Sequence, residues 1–414
     1  MAIDLDASFP RYEEHDPAGP VWCITPEVDR CFHRFFDTSP ISPSGRYVGL
    51  TRLPAEDRMP RPGEPAEVVL VDLESGEWEV VAQTHGWDTQ LGAQVQWGAS
   101  DRDLFFIDMD VERWDPFGVK MDPFTGERYD LQGPLYMVSP DGGMAASPCL
   151  RRTRRTQHGY GVVAPDEAIP VNDGAPDDDG LYVTDTTTGQ ARLLVSFAQI
   201  VDMALDAEEY ADGDFYGFHV KWSPQGDRLM FVVRWSPHGD ERWAARRNNV
   251  ITMRADGAEI TCAIPAAQWG KGGHHPNWCP DGRRVMMNLK LDRETMRLVA
   301  ARYDGSDLQT LNDEIEGSGH PAMHPDERHV ITDEYAHGSL AWEDGTTPLR
   351  LLDIDSGEEV QVARIRTRPD FEGDQKVLRV DPHPAWGPDH RLVTFNACPT
   401  GGRDVFIADL SELL

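Results

Sequence analysis

A short motif recurs along the chain and constrains its fold more than any other sequence feature. The clearest copy, residues 275–282, is His-Pro-Asn-Trp-Cys-Pro-Asp-Gly and has the form His-x-x-Trp-x-Pro-Asp-Gly. Its last three residues are typical of a type I turn, because proline presets φ, aspartate bonds its own backbone and glycine leaves the turn. Each copy therefore predicts a strand before the turn and another strand after it.

Seven copies of this motif align on the turn. Four copies carry a histidine at the same position, and three earlier, degenerate copies have their turns at residues 42–45, 98–101 and 139–142. A hairpin turn rich in Asp, Ser, Thr and Gly follows most copies, as at residues 72–77 and 185–190, so each unit is predicted to hold four strands. Seven such sheets arranged radially make a seven-bladed β-propeller. We therefore predict an all-β chain in which residues 1–414 form one domain, because the internal repeat outweighs an estimate from length alone.

The two ends of the chain are predicted to share the last blade. The seventh unit ends after its third strand, at residues 404–410, whereas an apolar stretch at residues 19–24 precedes the first unit. We expect this N-terminal strand to join the last blade and close the ring, because closure leaves no exposed sheet edge.

Charge and composition exclude several classes of partner. A formal net charge of -32 argues against nucleic acid and anionic membranes, which need a basic protein face. The sequence has no apolar run near the ~20 residues of a membrane span, and its acidic N-terminus lacks the pattern of a signal peptide, so a cytoplasmic location is expected. Six scattered cysteines without a CxxC pair indicate reduced packing residues. A small acidic ligand is not excluded, and no oligomeric state is predicted.

The histidines of the repeat are the first candidate site. They lie in the first strand of four units, which lines the channel of a propeller, so we expect them to converge: His219, His275, His320 and His383. Imidazoles without thiolates suit Mn²⁺, Zn²⁺ or a related ion, which would act as a Lewis acid on a substrate carboxylate or hydroxyl. The alternative is that these histidines bond only channel water or neighbouring backbone. Gln94 occupies the same position in the second unit, either as a channel ligand or as a core residue.

A second candidate site lies in the first of three long inserts, at residues 148–179. This insert contains Arg154, Arg155, His158 and Tyr160. Tyrosine and histidine can transfer a proton, and arginine can bind a carboxylate through two parallel hydrogen bonds. A basic surface loop is the alternative interpretation.

The other two inserts, at residues 234–248 and 364–380, also carry arginines. Binding groups often lie on loops that a rigid scaffold holds in place. The arginines of interest in these inserts are Arg234, Arg242, Arg246, Arg247 and Arg379.

The Pro-Asp-Gly turns, typical of TolB-like blades, and the His-Pro-x-Trp channel residues together resemble the seven-bladed propeller polysaccharide lyases. The resemblance is greatest to the oligogalacturonate lyases and weaker to the propeller ulvan lyases. It covers the architecture of nearly the whole chain but rests on few residues. It implies a cytoplasmic enzyme that holds Mn²⁺ with channel histidines and cleaves short uronate oligomers by β-elimination.

The resemblance also implies roles for individual residues. His275, His320 and His383 match metal ligands, and either His219 or the pair of Tyr160 and His158 matches the base and acid. Arg155, counted among the catalytic residues, and Arg379 could meet substrate carboxylates. Apart from the resemblance, Gln94 and Arg154 are further candidates for substrate binding. The family's Gln-x-x-His-x-His ligand run is absent, since residues 317–324 are Gly-Ser-Gly-His-Pro-Ala-Met-His, which leaves the fourth ligand open.

Two functions from different classes follow. The first is a metal-assisted lyase acting on acidic oligosaccharides, with Mn²⁺ as the expected ion and Zn²⁺ or Ca²⁺ as alternatives. The second is a non-catalytic TolB-like propeller that binds a protein or peptide partner. Four histidines in one register favour the lyase, and the absence of a Gly-x-Ser-x-Gly elbow argues against a serine hydrolase.

Overall fold

The structure, a computed structural model, describes residues 3–239 and 245–414. Residues 1, 2 and 240–244, and with them Arg242, lie outside the described part. The described strands form seven four-stranded sheets. Paired strands run antiparallel, as the first two strands of the sixth sheet do. The chain is therefore all-β and has the seven-bladed β-propeller fold predicted from its repeat.

The strands follow one another along the chain, sheet by sheet. Before the first full sheet come helix α1 (Leu5–Ser8) and strand β1 (Val21–Cys23). The first sheet has β2 (Cys31–Phe32), β3 (Tyr47–Arg52), β4 (Ala66–Asp72) and β5 (Trp78–Thr84). The second has β6 (Gln96–Trp97), β7 (Leu104–Asp110), β8 (Asp115–Met121) and β9 (Arg128–Asp130). The third has β10 (Met137–Val138), β11 (Met144–Ser147), β12 (Gly180–Asp185) and β13 (Ala191–Ser196).

The remaining sheets continue this order. The fourth has β14 (Gly213–Trp222), β15 (Arg228–Pro237), β16 (Arg247–Arg254) and β17 (Thr261–Ile264). The fifth has β18 (Gly273–Trp278), β19 (Arg284–Leu289), β20 (Arg297–Arg302) and β21 (Gln309–Thr310). The sixth has β22 (Ala322–Met323), β23 (His329–Thr332), β24 (Thr346–Asp353) and β25 (Glu359–Arg366). The seventh has β26 (Ala385–Trp386), β27 (Leu392–Ala397) and β28 (Asp404–Asp409), together with β1.

Besides α1, the helices are short and lie between strands. They are α2 (Leu150–Thr153), α3 (Phe197–Ala204) and α4 (Ala266–Trp269), with 3₁₀ turns at Asp166–Ala168, Ala207–Tyr210 and Asp374–Lys376. Within the described residues, no helix has the length and apolar character needed to cross a membrane.

The chain divides into two compact units. The first unit comprises Met1–Asp108, Met121–Arg128 and Ser318–Leu414, and the second comprises Met109–Lys120 and Tyr129–Gly317. The first, sixth and seventh sheets belong to the first unit, and the third, fourth and fifth sheets belong to the second. A single domain over residues 1–414 stays a prediction.

The hairpin turns have the chemistry that their sequences predict. At the turn after β4, the N–H of Gly76 donates to the carbonyl of Asp72 at 2.9 Å, and the Asp72 side chain accepts from the N–H of Glu74 at 3.0 Å. Gly76 has a φ of 76°, a left-handed conformation that glycine adopts without a steric penalty. The same glycine-to-aspartate bond recurs at Gly126, Gly189 and Gly357.

The tryptophan of the repeated motif ties its sheet to the preceding one. In four sheets its indole Nε1 donates to a backbone carbonyl at or near the first strand of the sheet before it. The bonds are Trp97 to Pro40 (2.8 Å), Trp222 to Met137 (3.2 Å), Trp278 to Lys221 (3.1 Å) and Trp386 to Ala322 (3.0 Å). The recurrence of tryptophan in the sequence therefore has a packing reason, since each indole buries its ring and satisfies its N–H.

The histidine position of the motif lies where the first strand departs from regular pairing. In the fifth sheet the register shifts between His274 and Asn277. At this motif position Gln94, His275 and His383 have φ values of 58°, 55° and 50°. Such left-handed conformations are uncommon outside glycine, so their recurrence indicates that the repeat itself imposes the bend. Irregularities of this kind redirect a side chain from its sheet.

The N-terminal strand completes the last sheet. β1 pairs antiparallel with β28, with Val21 opposite Ala408 and Cys23 opposite Phe406. Buried apolar side chains of the first and last sheets, including Leu50 and Ile407, pack in one cluster with Trp22 of β1. All six cysteines are free, as the sequence predicted.

Candidate metal centre and acid–base cluster

Three buried side chains of the first unit form a group that can hold a metal ion. His320, Asp381 and His383 each offer one ligand atom, and these atoms lie within 4.8 Å of one another. The two imidazole rings are nearly perpendicular, with centroids 4.3 Å apart. Two imidazoles and a carboxylate suit Mn²⁺, Zn²⁺ and related ions. Both histidines were predicted from the repeat, whereas Asp381 was not.

The carboxylate of Asp333 orients His320. Because β22 pairs Ala322 with Ile331, His320 falls opposite Asp333 just beyond the paired residues. The Nδ1 atom of His320 lies 3.0 and 2.9 Å from the two carboxylate oxygens, and the His320 N–H donates to one of them at 2.5 Å. A carboxylate at Nδ1 places the ring proton there and leaves the Nε2 lone pair for a metal.

Asp333 was also missed, although the repeat contains a signal for it. A polar residue occupies the same motif position at or near the end of the second strand in three sheets: Asn288, Asp333 and Asn396. The register places Asn288 opposite His274, one residue before the motif histidine. The side chain of Asn288 lies 3.3 Å from the Nδ1 atom of His274, and the Asn396 side chain accepts from the N–H of His33 at 2.9 Å. Reading this position across the repeat would have identified the residue that orients His320.

Aromatic rings pack against the metal group. The ring centroids of Phe35 and His383 are 4.7 Å apart, and those of Phe36 and His320 are 5.5 Å apart. Tyr335 contacts His320 with a centroid distance of 5.5 Å. These contacts hold the imidazoles in place and keep the surroundings of the group apolar, which strengthens metal–ligand electrostatics.

Arg379 links the metal group to a cavity. Its Nε atom donates to Asp381 at 2.8 Å, and the same Asp381 oxygen lies 3.9 Å from the Nε2 atom of His383. Arg379 and Asp381 line a cavity of about 380 Å³ in the first unit. Its other polar lining residues are Tyr335, His337, Thr367, Glu372 and Lys376. Asp381 is thus shared by the metal group and the cavity wall.

Gln94 is fully buried in the first unit. Its side-chain oxygen accepts from the Nε atom of Arg34 at 2.7 Å, and Arg34 also pairs with Asp37 at 2.7 Å. These contacts give Gln94 a role in holding Arg34, whereas its role in substrate binding stays a prediction.

In the second unit, His219 lies among buried tyrosines. Its Nδ1 atom hydrogen-bonds with the hydroxyl of Tyr136, and its ring centroid is 5.8 Å from that of Tyr160. Phe218 also packs against Tyr160, with centroids 5.0 Å apart, and against His219, with centroids 3.8 Å apart. Imidazole and phenol groups in contact can exchange a proton, so this cluster has the chemistry of an acid–base pair.

The two arginines predicted to accompany Tyr160 bind their own insert. Arg154 donates to the carbonyl of Ala164 and lies 3.2 Å from Asp166. Arg155 donates to the carbonyls of Ile169 and Pro170. Both side chains therefore stabilise the insert, and their contact with a substrate stays a prediction.

Two predicted histidines of the second unit are only partly buried. His275 lies with its Nδ1 atom 3.0 Å from the Nδ1 atom of His274, and His158 lies in the first insert. A metal-ligand role for His275 and an acid–base role for His158 stay predictions.

Comparisons with known proteins identify the fold. No protein-family model and no curated protein matches the sequence. An oligogalacturonate lyase solved in complex with manganese is 17% identical, with 98% of this chain and 96% of that chain covered and a TM-score of 0.64. The oligogalacturonate lyase of Vibrio parahaemolyticus is 14% identical, with 98% and 97% covered and a TM-score of 0.63. The β-propeller domain of the trilobed protease from Pyrococcus furiosus is 12% identical, with 91% and 96% covered and a TM-score of 0.50.

These identities establish a likeness of fold. The structural resemblance to oligogalacturonate lyases, predicted from the motif, is confirmed over nearly the whole chain. The chain is a seven-bladed β-propeller of the architecture that those lyases share.

Proposed function

We propose that this protein is a metal-assisted lyase that cleaves uronate-containing oligosaccharides by β-elimination. The observation that carries the proposal is the position of Asp381, which belongs both to the metal group and to the wall of a cavity large enough for sugar residues. A ligand in that cavity would meet a metal ion held by His320, Asp381 and His383. The likeness in fold to an oligogalacturonate lyase in complex with manganese supports the same assignment.

The donor set fits the expected ion. Two imidazole nitrogens and a carboxylate oxygen favour Mn²⁺ or Zn²⁺ over Ca²⁺, since Ca²⁺ is usually bound by oxygen ligands alone. When bound, the ion would act as a Lewis acid on a substrate carboxylate or hydroxyl. Asp333 would hold the His320 ring in the ligating orientation, and Arg379 would offer a cation to a substrate carboxylate at the cavity wall.

His219 is the proposed base. It would remove the C5 proton next to the uronate carboxylate, and the electrons of that C–H bond would form the C4–C5 double bond. The C4–O bond would break, and the departing sugar oxygen would take a proton from Tyr160. Tyr136 can accept the Nδ1 proton of His219, which leaves the other ring nitrogen basic. His158 is the alternative to His219 as partner of Tyr160.

The test is metal content together with product formation. Full-length protein with Mn²⁺ and a panel of uronate oligomers is expected to produce the absorbance of an unsaturated uronate. His383→Ala should lose both metal and product, whereas His15→Ala, at an exposed histidine, should keep both. Wild-type protein that binds no divalent ion and forms no product across the panel would contradict the proposal and favour the non-catalytic, partner-binding alternative.

A further inference from the structure

The segment that carries Asp381 to the metal group is irregular and buried. Residues 377–384, between the 3₁₀ turn Asp374–Lys376 and β26, belong to no strand or helix. Val377, Leu378 and Val380 are at most 4% exposed, and Asp381 is 6% exposed. Buried backbone outside regular structure needs hydrogen-bond partners from elsewhere in the fold. Those partners therefore decide what fixes the position of Asp381.

Arg403 binds two carbonyls of this segment. It lies directly before β28 and is almost completely buried. Its Nη2 atom donates to the carbonyl of Leu378 at 2.8 Å and to the carbonyl of Arg379 at 3.2 Å. The carboxylate of Glu56 accepts from the Arg403 backbone N–H at 2.9 Å and lies 3.6 Å from the Nη1 atom, so the guanidinium has a counter-charge. Because a charged donor makes stronger hydrogen bonds than a neutral one, Arg403 holds the segment firmly to the last sheet.

Gln90 and Thr89 bind the same segment from the connection between the first and second sheets. Both side chains are buried. The Nε2 atom of Gln90 donates to the carbonyl of Val377 at 2.9 Å and to that of Arg379 at 3.4 Å, and the Thr89 hydroxyl donates to the Val377 carbonyl at 2.7 Å. The Arg379 carbonyl is thus shared by Gln90 and Arg403. The backbone two residues before Asp381 is therefore fixed from two parts of the first unit.

This anchoring matters for the geometry of the metal group. Asp381 follows the shared carbonyl by two residues, and its carboxylate belongs to the metal group and to the cavity wall. A change of backbone torsion at residues 379 and 380 would turn that carboxylate away from His320 and His383. Site geometry has to be held within about 0.5 Å to remain productive, so a loose segment would separate Asp381 from the two histidines.

We infer that Arg403 and Gln90 are positioning residues of the metal group, holding residues 377–381 in the conformation that brings Asp381 to His320 and His383. The inference rests on the proposed function, since the ion is part of that proposal. Among the described residues, neither Arg403 nor Gln90 belongs to the metal group or lines the cavity. Both therefore act through the backbone, and their loss lowers metal affinity as well as stability.

Mn²⁺ affinity and amide exchange of the full-length protein test this inference. Arg403→Met and Gln90→Leu should each weaken Mn²⁺ binding by about 10- to 100-fold in a chelator competition assay. Arg403→Lys keeps the charge but loses the fork of donors, so its affinity should fall between those of Arg403→Met and the wild type. In the metal-free variants the backbone amides of residues 377–381 should exchange with solvent about tenfold faster, while amides of the other sheets exchange as in the wild type.

Arg228→Met is the matched control. Arg228 is a similarly buried arginine of the second unit, with a side chain 8% exposed that pairs with Glu259 at 2.6 Å. This variant should lower Tm as Arg403→Met does but keep the Mn²⁺ affinity of the wild type. If Arg403→Met does not fold, Arg403→Lys and Gln90→Leu provide the same comparison. Equal losses of affinity in Arg228→Met and the folded Arg403 variants would show a general effect of stability and overturn the inference.

The outcomes separate this inference from the proposed function. If no protein in the series forms an unsaturated product while the Arg403 and Gln90 variants bind Mn²⁺ more weakly than the wild type, the positioning role stands and the lyase proposal fails. If the wild type is a lyase and these variants keep its Mn²⁺ affinity and amide exchange, the lyase stands and the positioning role fails. A wild-type protein that binds no Mn²⁺ would overturn both.

Discussion

A single carboxylate, that of Asp333, would determine which nitrogen His320 presents to the proposed metal ion. Both carboxylate oxygens lie within hydrogen-bond distance of Nδ1, and the Asp333 side chain is almost completely buried. Partners of ligating histidines of this kind fix ring orientation and raise ligand basicity. The residue acts through His320 and is not itself in the metal group.

Asp333→Asn is therefore expected to weaken Mn²⁺ binding by about 10- to 100-fold. The amide loses the negative charge that stabilises the Nδ1 proton, while the shape of the side chain is kept. A chelator competition assay on the folded variant measures the change. Asp355→Asn, at an exposed turn position, should leave the affinity unaltered, and equal affinities for all three proteins would refute the role of Asp333.

Tyr136 is expected to act through the proposed base, His219, as Asp333 acts through His320. Tyr136→Phe removes the hydroxyl bonded to the Nδ1 atom of His219, so kcat should fall by about 10- to 100-fold. The acidic limb of the pH–rate profile should shift as well, because the imidazole loses a partner, and metal content should stay unchanged. Tyr129→Phe removes an exposed hydroxyl that bonds the Thr188 carbonyl and is the matched control. An unchanged profile in Tyr136→Phe would exclude Tyr136 as the partner of the base.

Among the structural elements, the motif tryptophans carry the contact between neighbouring sheets. Trp97→Phe deletes the bond to the Pro40 carbonyl and some buried volume, which should lower the free energy of unfolding by about 1–2 kcal/mol. Urea denaturation measures the difference. The same substitution at Trp342, a partly exposed ring stacked on Arg364, should lower the free energy of unfolding by less. A larger loss at Trp342 would contradict the assignment.

The last sheet contains a carboxyl group that makes stability depend on pH. Burial raises the pKa of Asp404, the first residue of β28, to about 6, although the hydroxyls of Thr400 and Thr25 donate to it. The folded protein therefore binds this proton more tightly than the unfolded chain, where the pKa is about 3.9. The resulting stabilisation is full below about pH 4 and is lost as the pH rises to about 6.

Asp404→Asn should remove this dependence. Above pH 6 the variant should be more stable than the wild type by about 1–3 kcal/mol, because its neutral amide carries no charge to be buried. The two proteins should converge below about pH 4. Denaturation midpoints measured across this range test the prediction, and a variant that is less stable at pH 7 would show that the ionised form is favoured in the fold.

At the scale of the whole molecule, the repeat predicted the fold because its signals are local. Turn chemistry and strand alternation recur along the chain, and β19 (Arg284–Leu289) and β23 (His329–Thr332) each follow a motif turn, as predicted. The repeat also drew attention to His320 and His383, which occupy one motif position and lie together with Asp381 in one group; their role as metal ligands stays a prediction. β1 pairs with β28, whereas closure of the ring by this strand stays a prediction.

The side chains that were not predicted from the sequence lie outside the motif positions that were compared across the repeat. Asp333 reaches His320 through sheet register, and Asp381 precedes its histidine in one blade only. Arg154 turns towards a carbonyl of its own insert, because an irregular loop must satisfy its buried backbone groups. Arg234 was noted in the sequence without a role, and only its burial marks it as unusual.

The most direct test of the central claim is a Mn²⁺ titration of oligogalacturonate cleavage. The rate of unsaturated-uronate formation by the full-length protein should rise and saturate with a midpoint equal to the Kd for Mn²⁺ measured independently, and Asp381→Ala should lower both affinity and rate. Tight Mn²⁺ binding without product, or product formation that does not depend on a divalent ion, would contradict the account.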